Sequence, residues 1–193
     1  GLECALWFQR EGVDPVEDVT FHRSNAFDVV ATEVQAVRTG VGLIETTGFA
    51  KHQFTGPGAR SFLDRIMANR IPEAGRMALT PMLNEHGMLV GDFTVATMTT
   101  SADPSGSSDG PERFIVFGTG AAEGHHERWF RSYLQTAGER VAYRPLSHEM
   151  AGLSIAGPAA RDLLASLTEQ DVSNDAFRFL DVRRMDLGMV PTL

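Results

Sequence analysis

The sequence predicts an α+β protein, and three observations carry that expectation. Met77 to Ala96 reads as a β-hairpin, in which Met77 to Leu83 and Met88 to Ala96 flank Asn84-Glu85-His86-Gly87, with glycine where a positive φ is cheap. Stretches around Phe62 and Phe130 carry apolar residues at helical rather than alternating spacing. From Phe49 to Leu146 the elements run β, α, β, β, β, α, β, the order of a ferredoxin-like αβ sandwich with one additional strand.

Gly1 to Asp18 shows no period and reads as an extended arm that packs by Trp7 and Phe8. Phe27, Val30, Val34 and Val37 then recur at helical spacing, with Ser24 or Asn25 available as cap and Gly40 as terminator. A short strand at Val41 to Glu45, a turn at Thr46-Thr47-Gly48 and a strand at Phe49 to Thr55 follow. Gly56-Pro57 opens a helix with Ala59, Phe62, Leu63, Ile66 and Met67 on one side, proline standing in the first turn where no N–H is missed. On the second hairpin strand Leu89, Phe93 and Val95 share one face and Val90, Asp92 and Thr94 the other. Gly91 lets another group approach the backbone there.

Thr99 to Glu112, TTSADPSGSSDGPE, has nothing to bury and reads as a flexible loop tip between paired strands, with a domain linker as the alternative. Arg113 to Gly118 resumes as a strand. Ala121 to Leu134 is a helix with Ala122, Trp129, Phe130 and Tyr133 inward, and Val141 to Leu146 is a strand. Further on, Asp171 to Ala176 caps a turn and Phe179 to Leu187 returns as a strand. Phe49 to Met67 aligns without gaps with Met150 to Thr168, sharing Ala50/Ala151, Gly56/Gly157, Pro57/Pro158, Ala59/Ala160, Arg60/Arg161 and Leu63/Leu164. This is one supersecondary unit used twice, or two independent uses of a common way to begin a helix.

The 193 residues suffice for one good-sized domain or two small ones. Net charge is -8, and the 17 basic residues are scattered, which argues against nucleic acid or an anionic membrane as partner. Cys4 is the only cysteine, so no internal disulfide and no cysteine-built metal site exist. Without a long apolar run or a basic leader, the expectation is a soluble protein of a reducing, cytoplasmic compartment. The chain starts at Gly1 without an initiator Met and stops as a strand develops at Val190 to Leu193, which reads as a fragment or subunit of something longer.

No phosphate-binding glycine loop, HExxH, GxSxG or cysteine–histidine pair is present, so covalent catalysis has no candidate. His125 and His126 diverge by about 100° on a helix and cannot face one metal. They read as solvated surface histidines, and no metal site is expected. His22, His52, His86 and His148 each lack a second ligand and read as structural. Arg183-Arg184 reads as part of a solvated strand and turn, or as a hold for an anionic tail. That leaves Asp92, a carboxylate in an otherwise apolar strand. It is either an edge-strand group in water or beside an arginine, or a group facing a ligand pocket.

Several motifs together resemble a known family: Glu33-Val-Gln-Ala-Val-Arg38, Gly42-Leu-Ile-Glu45, Phe49-Ala-Lys51, Gly56-Pro57, Pro81-Met-Leu-Asn-Glu85, Gly91-Asp92, His125 to Phe130 and Gly152-Leu-Ser-Ile-Ala-Gly-Pro158. In order, from about Trp7 to Val190, they resemble the folate-binding region of dimethylglycine and sarcosine dehydrogenases, which belongs to the glycine-cleavage T-protein (aminomethyltransferase) family.

The resemblance implies a T-protein-like folate-binding fold. Residues 1–50 and 149–193 would be two parts of a first lobe, 51–148 an inserted ferredoxin-like lobe, and the third lobe would be absent from this chain. It implies that Asp92 is the essential aspartate beside the folate nitrogens, and that Phe49, Leu79, Phe114 and Val116 line the pterin site by side chain or backbone. The implied cofactor is tetrahydrofolate, with FAD only on a separate domain or chain and a flavoprotein domain or subunit as partner. Oxidation of an N-methyl amine gives an iminium or formaldehyde, which a folate nitrogen attacks to form 5,10-methylenetetrahydrofolate. One carboxylate can orient that nitrogen, accept its proton and stabilise the cation. The family pattern continues with an Arg-x-Ser-x-x-Gly-Glu-Leu-Gly-Tyr-Glu stretch that this chain ends before, so the resemblance implies that the rest of the pocket comes from elsewhere. The alternatives are a non-transferring folate-binding protein, resembling the iron-sulfur assembly relatives, and a structural remnant.

Overall fold

The computed structural model of the chain describes residues 7–98, 112–138 and 140–193. In chain order the elements are α1 (Phe27–Thr39), β1 (Gly42–Glu45), β2 (Ala50–Thr55), α2 (Ala59–Ile66), β3 (Arg76–Leu83), β4 (Leu89–Met98), β5 (Arg113–Gly118), α3 (Glu123–Ala137), β6 (Ala142–Pro145), β7 (Leu153–Ala156), α4 (Ala160–Leu167), β8 (Met185–Leu187) and β9 (Val190–Thr192). A short 3-10 turn, Gly120–Ala122, leads into α3.

The expected α+β class is the one the chain adopts. Five strands form the main sheet in the order β3-β4-β5-β2-β6, every neighbouring pair antiparallel. β3 is the additional strand, at the edge. With it set aside, β4-β5-β2-β6 is the antiparallel order of a ferredoxin-like sheet, β2 and β4 running the same way on either side of β5 as a split βαβ unit requires. Because β4 and β5 are hydrogen-bonded neighbours, the segment between them joins paired strands rather than two domains. The segment itself, save Glu112, lies outside the described residues.

Helices α2 and α3 cover one face of the sheet. Ala59, Phe62, Leu63 and Ile66 of α2 and Phe130 of α3 close over Phe54, Phe93, Val95, Phe114 and Val116. Burying each such aromatic or aliphatic side chain contributes about 1.5–3 kcal/mol. The other face is covered only in part, where Ala96, Met98 and Ile115 pack with Leu146 and Val182. Beside the main sheet, β1 pairs with β7 in a two-stranded antiparallel ribbon, and β8 pairs with β9.

The hairpin turn forms as its residues dictate. The Asn84 carboxamide oxygen accepts from the amides of His86 and Met88, both at 2.9 Å, and Gly87 takes φ +74°. One detail breaks the alternating pattern. Pairing runs Pro81↔Asp92 and Met82↔Gly91, then Leu83↔Leu89, so Val90 is the extra residue of a β-bulge. Val90 accordingly packs against the helix-covered core, while Leu89 is exposed instead of sharing the buried face of Phe93.

Other local expectations shift for physical reasons. The residue before α1 is Ala26, with no side-chain cap. The Asn25 side chain accepts from the Asp18 amide and donates to the Val16 carbonyl, tying the arm to the helix start. Gly40 ends α1 as expected, its N–H donating to Ala36 at 2.9 Å. Pro57 stands before Gly58, the N-cap of α2, and so outside the helix. Phe8 is exposed rather than packed. In Phe179 to Leu187 the strand is limited to Met185–Leu187: Leu180 takes a left-handed φ of 63° that interrupts the extended run, Asp181 makes only an isolated bridge with Arg76, and Phe179 is 86 % exposed.

Candidate functional site

Asp92 lies on the face of the main sheet away from α2 and α3. Backbone register fixes its neighbours: Pro81 stands opposite Asp92, and the next row across the sheet is Leu79, Thr94, Phe117 and Lys51. Asp92 is exposed, Leu79 is 65 % exposed, and Thr94 and Phe117 are half-buried. Among the described residues Asp92 has no hydrogen-bond or ion-pair partner. Among the described residues it is not paired with an arginine; it is open to solvent, with an open apolar row beside it.

Phe49 immediately precedes β2 and is 53 % exposed. It stands two residues back from Lys51 in the Phe117 row, as Asp92 is two residues back from Thr94. Phe49 and Asp92 thus stand at the same end of the sheet, about 10 Å apart across two strand spacings. Lys51 holds this end together. It is 3 % exposed, and its ammonium donates to the carbonyls of Thr47 and Phe49, both at 2.8 Å. Burial pulls the Lys51 pKa below the usual lysine value, against the opposing pull of Glu123 and Glu45.

The structure brings together Asp92, Leu79 and Phe49 but not Phe114 and Val116. Both of the latter side chains are fully buried under α2 and α3, on the opposite face. Any part they take on the Asp92 side falls to their backbone. The β5 residues whose side chains do point that way are Ile115 and Phe117. Strand alternation combined with the pairing of β5 on β4 is the signal that identifies Phe117.

The histidines are corrected more sharply. His125 is exposed, but His126 is 1 % exposed, because it lies one helical turn before Phe130 on the inward side of α3. Its Nε2 lies 3.2 Å from the Val90 carbonyl. His52, structural as expected, is fully buried against Phe130, with Nδ1 2.9 Å from the Tyr143 hydroxyl. Burial pushes His52 down to about 4 and His126 below its usual value, and drives the Tyr143 hydroxyl upward. Both histidines are therefore neutral at neutral pH.

Two open clefts lie elsewhere, and neither includes Asp92. One, about 460 Å³, is lined by Arg60, Asp64, Asn69, Arg70 and Glu73. The other, about 380 Å³, is lined by Met98, Arg113, Ile115, Met150, Arg184 and Asp186. Arg183 is engaged within the fold, donating to the Ala176 carbonyl at 2.6 Å and stacking over Phe177. Among the described residues no group of three or more histidine, cysteine or acidic side chains is placed to hold a metal.

Comparison with known proteins adds a lineage to this geometry. The model of the GCVT N-terminal domain matches residues 1–193. Mitochondrial dimethylglycine dehydrogenase of Mus musculus is 30% identical over 191 residues, covering 99% of this chain and 21% of that protein. The chain therefore spans about a fifth of the dehydrogenase's length. Glycine cleavage system aminomethyltransferase T from Bartonella henselae superimposes with a TM-score of 0.65 at 17% identity, over 80% of this chain and 38% of that one. Heterotetrameric sarcosine oxidase from Corynebacterium sp. U-96 gives 0.55 at 18% identity, over 89% and 80%. These two likenesses show a shared fold.

Proposed function

The chain belongs to the GCVT N-terminal domain family, and on that premise we propose that its open sheet face is the folate-facing half of a one-carbon transfer site serving an N-methyl amine dehydrogenase. The observation that carries this reading is Asp92. It is a carboxylate without a partner among the described residues, set beside exposed Leu79 and half-buried Phe117, with exposed Phe49 at the same end of the sheet. A spacing of about 10 Å with apolar walls admits a flat aromatic ring edge-on to a carboxylate.

Those residues fit tetrahydrofolate, which when bound supplies the nucleophilic nitrogens that take a one-carbon unit at the oxidation level of formaldehyde. Asp92 holds a nitrogen-bound hydrogen, orients the lone pair toward the incoming carbon, and receives the proton released when the new C–N bond forms. Its charge also favours the cationic carbon before attack. Leu79, Phe117 and Phe49 exclude water from one side and hold the ring plane. The oxidant is assigned to a flavoprotein domain or subunit, which would remove a hydride from the N-methyl group and deliver the carbon. The lobe boundaries belong to the same proposal. Residues 1–50 and 149–193 would form one lobe, a division supported by the β1–β7 pairing, around the 51–148 unit.

Calorimetric titration of tetrahydrofolate, paired with an assay of one-carbon transfer from a demethylating flavoprotein, tests this reading. Asp92→Asn should keep folate affinity within about threefold and lower transfer by about 10²- to 10³-fold. Equal loss of both would make Asp92 a binding group only. No saturable binding by the folded chain would contradict the proposal.

A further inference from the structure

We propose that His126 is the residue that positions Asp92, acting through the β4 backbone from the opposite side of the sheet; this rests on the catalytic reading of Asp92 given above. His126 projects from the inward side of α3, is buried between that helix and the sheet, and cannot touch a ligand on the open face. It does touch both residues that precede Asp92. Its Nε2 lies 3.2 Å from the Val90 carbonyl, and a Cβ built on Gly91 would fall 2.6 Å from the same nitrogen. The imidazole and the Phe93 ring, whose nearest atom is also 2.6 Å away, together occupy the space a Gly91 side chain would need, which answers why the residue before Asp92 is the smallest one.

Val90 is the bulged residue, present on β4 without a counterpart on β3. Pairing of β4 with β5 extends only from Thr94 to Met98, because β5 ends at Gly118 and the chain turns into Gly120–Ala122. From Val90 to Phe93 the strand is thus free of a β5 partner and carries an extra residue. Bulges re-aim the side chains that follow them, and without a second tether the aim is loose. A carbonyl only accepts, so Nε2 of the neutral ring bears the hydrogen and fixes Val90 in place of the absent strand. Packing supports the ring: Phe93 lies edge-on to it with centroids 4.7 Å apart, and Phe93 is itself seated against Gly118.

Three forms of the full chain test this assignment: wild type, His126→Phe, which keeps an aromatic ring, somewhat larger, without a donor, and His126→Gln, whose amide nitrogen reaches as far as Nε2. In His126→Phe the Gly91 and Asp92 amides should exchange hydrogen about tenfold faster relative to other β4 amides, transfer should fall about tenfold or more, and folate affinity should change by less than about threefold. His126→Gln should recover both the protection and the transfer. A uniform rise in exchange across the core, or no recovery by a folded His126→Gln, would overturn the proposal and leave His126 a packing residue. Nitrogen shifts of the wild-type imidazole give an independent reading, since protonation at Nδ1 rather than Nε2 would also overturn it. If wild type shows no folate-dependent transfer, the functional reading of Asp92 fails, while the exchange pattern still decides whether His126 sets the Gly91–Asp92 backbone.

Discussion

The two strand–Gly-Pro–helix units use the same local chemistry and end in opposite environments. Helices α2 and α4 are offset by 101 residues at both ends, and Gly56 and Gly157 take φ of +107° and +118°. At each glycine an added Cβ would meet a backbone oxygen, Arg140 at 2.5 Å in the first unit and Gly40 at 2.4 Å in the second. Arg60 donates to the Ile71 carbonyl and Arg161 to that of Val172, eleven residues on in both cases. Yet β2 is flanked by β5 and β6 and is mostly buried, whereas β7 has only β1 beside it and buries no residue fully. Helix α2 buries Ala59, Phe62, Leu63 and Ile66, and α4 buries none. The motif thus dictates the turn and the helix start. What the helix then contributes to stability depends on the surface it meets.

Equivalent leucines should expose this difference most strongly. Leu63→Ala should cost about 2–5 kcal/mol and Leu164→Ala about 1 kcal/mol, read from denaturant midpoints of the chain. Equal costs would mean that α4 packs as tightly as α2. Acid should separate the units next, because His52 stands where the second unit has Leu153. Burial holds the folded His52 near 4, below its ordinary 6.5, so between those values the unfolded chain binds a proton that the folded chain refuses. Stability is fully present above about pH 6.5 and declines by up to about 3 kcal/mol as the pH falls toward 4. His126 acts with the same sign. His52→Leu should flatten most of this slope in thermal melts. A wild-type melting temperature constant from pH 7 to about 4.5 would contradict the burial of a neutral imidazole.

Much of the fold is written locally. The Asn84 to Gly87 turn, the Gly-Pro helix starts and the apolar stripe of α2 each depend on neighbours within a few residues. The bulge at Val90 was not legible, because it is set by how β3 and β4 meet rather than by either strand. It in turn reversed the alternation expected for Leu89 and Val90. The inward position of His126 did have a signal, since His126, Phe130 and Tyr133 follow the helical repeat, but a polar residue on that stripe reads as surface. Asp92 stood out as a lone carboxylate in an apolar strand. Which side chains share its face required the register of β5, and that places Phe117 there and turns Phe114 and Val116 into the core.

The decisive measurement is a titration of tetrahydrofolate into the isotopically labelled chain, followed by backbone amide shifts. Binding on the Asp92 face predicts saturable shifts centred on Leu79, Asp92, Thr94, Phe117 and Phe49, with smaller ones in α2 and none peculiar to the Arg60–Glu73 cleft. Shifts centred on that cleft, or on the one beside Arg113 and Arg184, would show that the open face around Asp92 is not the folate site.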